Sequence, residues 1–305
     1  MNKEPFTVYL PSFTWKTAEE FRIKKAISNL DCPFPDLVKE ALGIIKKAGK
    51  SALDPLVEAV EKKRFEDGGR FDSVPEAFAE IGEPAVPVLV KWLVGKKEDL
   101  YSTAEDALKL IGRPAVPDLC EVITTKNKDA RIRVINLLGK AKDDSAIPLL
   151  INALSDKNDL VGSYAADAFI EYGCPIYSRI LPLLQSADVR QVCGAITILP
   201  ALDREKGIAA ILPYFTDPHG EVWNAMCQSL RQLKPLPIAE MRQCLSSSDA
   251  DVVSGALNVL GWGSDEGALL DAVKFLDNPD QRIKLSAELC VQNIRNHLKS
   301  PQPCT

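Results

Sequence analysis

Eight apolar anchors recur along the 305-residue chain at almost constant spacing, and they constrain its fold more than any other feature. Val60, Leu93, Ile123, Leu154, Leu184, Phe215, Leu245 and Leu276 follow one another at steps of 33, 30, 31, 30, 31, 30 and 31 in the numbering. Each closes a comb with apolar residues seven, four and three positions before it. The combs run Leu53-Leu56-Val57-Val60, Val86-Leu89-Val90-Leu93, Val116-Leu119-Cys120-Ile123 and Ile147-Leu150-Ile151-Leu154. They continue as Tyr177-Ile180-Leu181-Leu184, Ile208-Ile211-Leu212-Phe215, Ile238-Met241-Arg242-Leu245 and Leu269-Ala272-Val273-Leu276, with Arg242 as the one interruption. At 3.6 residues per turn, positions i, i+3, i+4 and i+7 form one side of an α-helix. A period near 30 means one supersecondary unit copied many times. The pattern predicts an all-α fold: an α-solenoid (superhelix) of about eight antiparallel helix pairs with terminal capping helices.

The joints between helices are also legible. Ile81-Gly82-Glu83-Pro84-Ala85-Val86-Pro87 recurs one repeat later as Ile111-Gly112-Arg113-Pro114-Ala115-Val116-Pro117. Each glycine suits a left-handed position ending one helix, and each proline suits the first turn of the next, where its missing N–H costs nothing. Ser73-x-x-Glu76, Ser102-x-x-Glu105 and Thr17-x-x-Glu20 read as capping boxes. Polar clusters at 155–159, 216–220, 247–249 and 277–280 carry turn chemistry. The pairs are expected at 36–65, 73–97, 102–126, 129–156, 159–186, 188–217, 220–246 and 250–277. Capping helices are expected at about 16–30 and 280–298. The domain reading is an N-terminal segment over 1–35, a solenoid over 36–298 and a disordered tail over 299–305. No unit aligns around Asp67-Gly68-Gly69.

A repeat array grows lengthwise, since each unit packs only on its neighbours, so 305 residues need not divide into several globules. The net charge is −5, with both signs spread along the chain, which argues against a dedicated nucleic-acid binder. One exception is the run Lys126, Lys128, Arg131, Arg133, Lys140 and Lys142, opposed only by Asp129. It is either a solvated helix face or a patch for an anionic partner. The first ten residues lack the apolar core of a signal peptide, and no apolar run approaches the ~20 residues that span a bilayer. Eight dispersed cysteines without a C-x-x-C pair suit reduced thiols in a cytoplasmic protein.

The paired-helix unit with G-x-P-A-V-P-x-L, followed by L-x-D at the exit of the second helix, resembles a HEAT repeat. More narrowly it resembles the phycobilisome-lyase-type HEAT-like repeats of bacteria and archaea. The matching residues are Ile81 to Leu93, Ile111 to Ile123, Leu154-Ser155-Asp156, Phe215-Thr216-Asp217 and Leu276-Asp277, and the likeness covers roughly residues 36–298. The resemblance implies that the second helix of each pair lines a concave face and that this face binds a protein partner. It also implies an alternative, a bilin lyase or chromophore chaperone, for which Lys91, Lys274 and the 126–142 stretch are candidate partners of propionate groups.

No catalytic constellation accompanies the repeats. The only histidines, His219 and His297, lie in no metal-ligand spacing, and the His-Glu doublets of iron-dependent HEAT hydroxylases are missing. No cofactor is expected. The residues flanking the core stripe are more informative. One position before the anchors stand Ala59, Trp92, Val122, Ala153, Leu183, Tyr214, Cys244 and Phe275; two before stand Glu58, Lys91, Glu121, Asn152, Pro182, Pro213, Gln243 and Lys274. Exposed aromatics among mixed charge suit protein recognition. The candidate partner-binding residues are therefore Lys91, Trp92, Glu121, Asn152, Tyr214, Gln243, Lys274 and Phe275. The competing reading is that the row widens the core stripe and packs between units. Trp223 and Trp262 read as structural, and Arg242 either snorkels from the edge or holds a carboxylate.

Overall fold

A computed structural model describes residues 15–63, 73–215 and 220–299. The unaligned Asp67-Gly68-Gly69, most of the 216–220 loop and the tail from residue 300 lie outside the described residues. The chain is α-helical, with no strand among the described residues. It divides into two compact units, Met1–Ala146 and Ile147–Thr305.

Unit one holds α1 (Trp15–Ser28), α2 (Pro35–Ala48), α3 (Leu53–Lys63), α4 (Val74–Ile81), α5 (Val86–Leu93), α6 (Glu98–Ile111), α7 (Val116–Val122) and α8 (Lys128–Ala141). First helices stack in chain order, α2 on α4, α4 on α6 and α6 on α8, while α5 packs on α7 in a second layer. The expected N-terminal capping helix is α1, which lies against α2 and α3.

Unit two holds α9 (Ile147–Leu154), α10 (Asp159–Tyr172), α11 (Tyr177–Ile180), α12 (Val189–Leu202), α13 (Arg204–Ile211), α14 (Glu221–Gln232), α15 (Ile238–Cys244), α16 (Ala250–Leu260), α17 (Glu266–Val273) and α18 (Gln281–Lys299). Single 3-10 segments, Leu181–Gln185 and Leu212–Tyr214, prolong α11 and α13. Here α10, α12, α14, α16 and α18 stack in order, and α15 packs on α17. Both units are thus α-solenoid stacks of helix pairs.

The combs are what the stacks bury. Leu56, Leu89, Leu93, Leu119, Leu150, Ile180, Ile211 and Phe215 are almost wholly withdrawn from water. Each such side chain contributes about 1.5–3 kcal/mol of hydrophobic stabilisation. The anchors Val60, Ile123, Leu154 and Leu184 are also buried, whereas Leu245 and Leu276 are half-buried. The comb position three before the anchor sits at the stripe's edge: Val90 is buried, but Leu181, Arg242 and Val273 are exposed.

At the joints, Gly82 (φ 76°, ψ −141°) and Gly112 (φ 70°, ψ −133°) take positive φ, which a Cβ disfavours. A 3-10 turn follows each, Glu83–Ala85 and Arg113–Ala115, so Pro84 and Pro114 precede the α-helix proper. Pro87 and Pro117 then fall in the first turns of α5 and α7, as expected. One repeat after Gly112, Lys142 occupies the same joint in left-handed geometry (φ 50°, ψ 47°).

The capping boxes need correction. Ser73 precedes α4 but makes no side-chain cap, and Ser102 lies inside α6, which begins a turn earlier at Glu98. Glu98 and Asp99 complement the dipole there, so the helix extends past the serine. Thr17 likewise lies within α1. Asp and Asn provide the side-chain caps: Asn127, Asp188 and Asp249 accept from the amides of Asp129, Arg190 and Asp251 at 3.0, 3.0 and 2.9 Å. Asp203 and Asp265 accept from Lys206 and Ala268.

Between layers, α16 presses on the chain behind it at Gly255, where an added Cβ would lie 2.5 Å from the ring of fully buried Phe215. Overpacking of this kind costs about 1–3 kcal/mol, so Gly255→Ala is expected to lower the urea midpoint without changing the fold. Two substitutions at equivalent joints should move stability in opposite directions. Gly112→Ala loses about 1–2 kcal/mol by forcing a Cβ into left-handed space, whereas Lys142→Gly relieves that strain. Equal signs in chemical denaturation would contradict the assignment of the joint.

Candidate partner-binding surface on the second helices

Successive helical residues turn by 100°, so a residue two positions before a buried anchor points away from the core. Glu58, Lys91, Glu121, Asn152, Pro182, Pro213, Gln243 and Lys274 are all exposed. Residues one position before the anchor stand side-on: Ala59, Val122, Ala153, Leu183, Tyr214 and Phe275 are half-buried.

Two members of that row go inside. Trp92 is 6% exposed, with its ring edge-on to Phe78 at 5.5 Å between centroids and 88° between planes. It belongs to the core of unit one, and its place among the surface candidates is corrected. The indole is held by the aromatic that α4 offers from the neighbouring layer. Cys244 is also buried, and burial pushes its thiol upward. Lys91 and Glu121 thus mark the surface of unit one. Asn152, Tyr214, Gln243, Lys274 and Phe275 mark that of unit two.

On unit two, Arg242 holds a carboxylate. Its Nε donates to Asp271 Oδ2 at 2.6 Å, and Lys274 Nζ reaches the other oxygen at 2.7 Å. Gly267 leaves space for the guanidinium, since a Cβ there would come within 3.1 Å of Arg242 Nη1. The Lys274 ammonium, with Arg242 beside it, holds the Asp271 carboxyl below the usual range. One helix back, Arg204 Nε stands 3.6 Å from Glu240 Oε1. Charge therefore links α13 to α15 and α15 to α17 along this surface. Arg204, Glu240 and Asp271 are not singled out by the sequence. The available signal is a lone arginine in a comb, followed by an acid close to one repeat later.

The basic run divides. Lys126, Lys128, Lys140 and Lys142 are exposed, but Arg131 is buried, with Nη1 donating to the Thr125 and Lys126 carbonyls at 2.8 and 3.2 Å. Arg133 donates through Nε and Nη2 to the Leu93 carbonyl at 3.1 and 2.8 Å, and its guanidinium lies 3.9 Å from the Tyr101 ring centroid. Two of the six cations serve the fold. Trp223 is buried, and Trp262 is half-buried 5.1 Å from the Arg231 guanidinium. His219 lies outside the described residues, and His297 Nδ1 is 3.2 Å from the Gly263 carbonyl.

The described cysteines are free thiols, and burial raises Cys227 and Cys290 to about 12, which leaves them neutral and unreactive. No helix of the described residues is long and apolar enough to cross a membrane.

Two layers of paired helices with glycine–proline joints define a helical repeat protein. Over residues 86–170 the chain matches the family of HEAT repeats. Similar solved structures include Kap121p (13% identity, 94% of this chain and 38% of that one, TM-score 0.40). They also include the complex of CpcE and CpcF of phycocyanin lyase from Nostoc sp. PCC7120 (15%, 96% and 99%, 0.30). Human deoxyhypusine hydroxylase is a third (14%, 70% and 97%, 0.34). No curated protein matches.

Protonation should dismantle the Asp271 cluster. A carboxyl whose folded pKa is depressed contributes stability above its unfolded pKa, and that contribution disappears as pH falls through the folded value. Asp271→Asn should therefore lower the unfolding free energy near neutrality by no more than about 1 kcal/mol, because Arg242 and Lys274 are exposed. The gap from wild type should close below about pH 4. A gap that stays constant with pH would show that the cluster contributes nothing through charge.

Proposed function

We propose that this protein is a non-catalytic scaffold that binds a protein partner through the exposed surface of its second helices. The observation that carries this reading is the exposure of one register position on the second helices of each unit, Glu58, Lys91 and Glu121 in unit one and Asn152, Pro182, Pro213, Gln243 and Lys274 in unit two. Six of these eight positions carry polar side chains, all but Pro182 and Pro213, on helices already held in place by packing. Pre-set side chains lose less freedom on binding than side chains on a mobile loop. On unit two the row is flanked by half-buried Tyr214 and Phe275 and by the Arg242–Asp271–Lys274 cluster. Aromatic and arginine side chains supply most strong interface contacts.

The repeat array is read as residues 36–298, with 1–35 as an N-terminal segment and 299–305 as a tail. Buried neutral thiols such as Cys227 and Cys290 suit a reducing, cytoplasmic setting. A bilin-handling role would need free cations for propionates. Of the candidate cations, Lys274 is already engaged by Asp271. This engagement favours the protein-binding reading.

The test is co-purification from the native host with the wild-type chain and with a Tyr214→Ala/Gln243→Ala/Lys274→Ala variant. A partner recovered with wild type should lose at least about tenfold in affinity for the folded variant, since each anchor lost from an interface commonly costs more than about 1 kcal/mol. Undiminished binding would remove this surface from consideration.

A further inference from the structure

The basic run over 126–142 divides between the two ends of α8. Lys128 opens the helix and Lys140 lies in its last turn, roughly 18 Å away at 1.5 Å per residue. Lys126 and Lys128 flank the cap Asn127 and stand beside the equivalent loop one repeat earlier, because α6 packs on α8 and α5 on α7. That loop carries Lys96 and Lys97, with Lys97 at the N-cap of α6. All four lysines are exposed.

Both loops are fastened to α8. Arg133 Nε and Nη2 hold the Leu93 carbonyl, where the first loop begins, at 3.1 and 2.8 Å. Arg131 Nη1 holds the Thr125 and Lys126 carbonyls of the second loop at 2.8 and 3.2 Å. The lysines therefore project from backbone that is set before a ligand arrives, which lowers the ordering cost of binding. Residues 94–99 and 124–133 hold six cations, Lys96, Lys97, Lys126, Lys128, Arg131 and Arg133, against three carboxylates, Glu98, Asp99 and Asp129. The N-terminal dipole ends of α6 and α8 add to the positive potential at this edge. Among the described residues no carboxylate pairs with Lys96, Lys126 or Lys128, whereas Lys46, Lys206 and Lys274 are ion-paired. The corresponding loops before α12, α16 and α18, residues 186–188, 246–249 and 277–280, hold Asp188, Asp249, Asp277 and Asp280 and no cation.

We propose that this edge of unit one binds an acidic segment of another protein, laid in extended form across the two lysine loops. Packed helices stand about 8–10 Å apart, and an extended chain rises about 3.3 Å per residue. Asp or Glu side chains three residues apart on the segment therefore reach one loop each. A nucleic acid fits less well. Residues 94–99 and 124–133 offer no aromatic side chain for a base to stack on, and the neighbouring Tyr101 ring is covered by Arg133. Glu98, Asp99 and Asp129 would repel a continuous row of phosphates, whereas a peptide can place neutral residues opposite them.

Fluorescence anisotropy on the full chain tests this with a labelled peptide carrying glutamate at every third position among glycines and serines. At low ionic strength wild type should bind it saturably, and affinity should fall as salt is raised. Lys96→Gln/Lys126→Gln/Lys128→Gln should weaken binding more than about fivefold, since several modest charge contacts are lost together. Its helix content should match wild type, because all three side chains are exposed. Lys96→Arg/Lys126→Arg/Lys128→Arg keeps the charge and should bind like wild type, as should Lys140→Gln at the other end of α8. Tyr214→Ala/Gln243→Ala/Lys274→Ala should also bind the peptide normally, which separates failure of this edge from failure of the second-helix surface. Absence of saturable binding by wild type overturns the proposal, and so does a glutamine variant that binds equally well. Tighter binding of an oligothymidylate than of the peptide also overturns it, in favour of a nucleic acid.

Discussion

The second helices from α5 to α17 are too short to be stable alone. Helices such as α5 and α7, of 8 and 7 residues, fall far below the length at which isolated helices persist in water. They exist because a four-residue apolar stripe, repeated at intervals near 30, is pressed against neighbours that carry the same stripe. Packing therefore comes first and helix formation follows. This explains why the joints tolerate prolines and 3-10 turns: nothing there relies on long uninterrupted hydrogen-bond ladders.

The same dependence separates core from surface with little ambiguity. Once an anchor is buried, helical geometry sends the residue two positions earlier outward. Chemistry at that position is thus released from packing and varies from glutamate to lysine, asparagine and proline along the chain. The residue one position earlier stands side-on, and its fate depends on its neighbour. Trp92 goes inside because Phe78 faces it; Tyr214 and Phe275 remain half-buried.

This is also where legibility in the sequence stops. The helix pairs are readable to within a few residues, because period and proline placement are properties of the chain itself. The start of α6 lies a turn before the expected one, since an Asp/Glu-rich first turn extends the helix past an attractive serine. The candidate surface is readable as a set of positions but not as a set of exposures. Contact between α4 and α5 decides Trp92, and no local pattern encodes it. Charge contacts across repeats, such as Arg242 with Asp271, are half-visible as an anomaly in one comb. Their partners, almost a full repeat away, carry no mark of their own.

Arg133 has a different consequence. From α8 it stacks on Tyr101 of α6 and closes two hydrogen bonds on the carbonyl that ends α5. One guanidinium thereby spans three successive helix pairs, where ordinary repeat contacts span two. Opening α8 would uncap α5 at the same moment, so the stretch from α5 to α8 is expected to exchange its amide protons as a block instead of one pair at a time. A nearest-neighbour description of unfolding, adequate for most arrays of this type, would underestimate the cooperativity of this stretch.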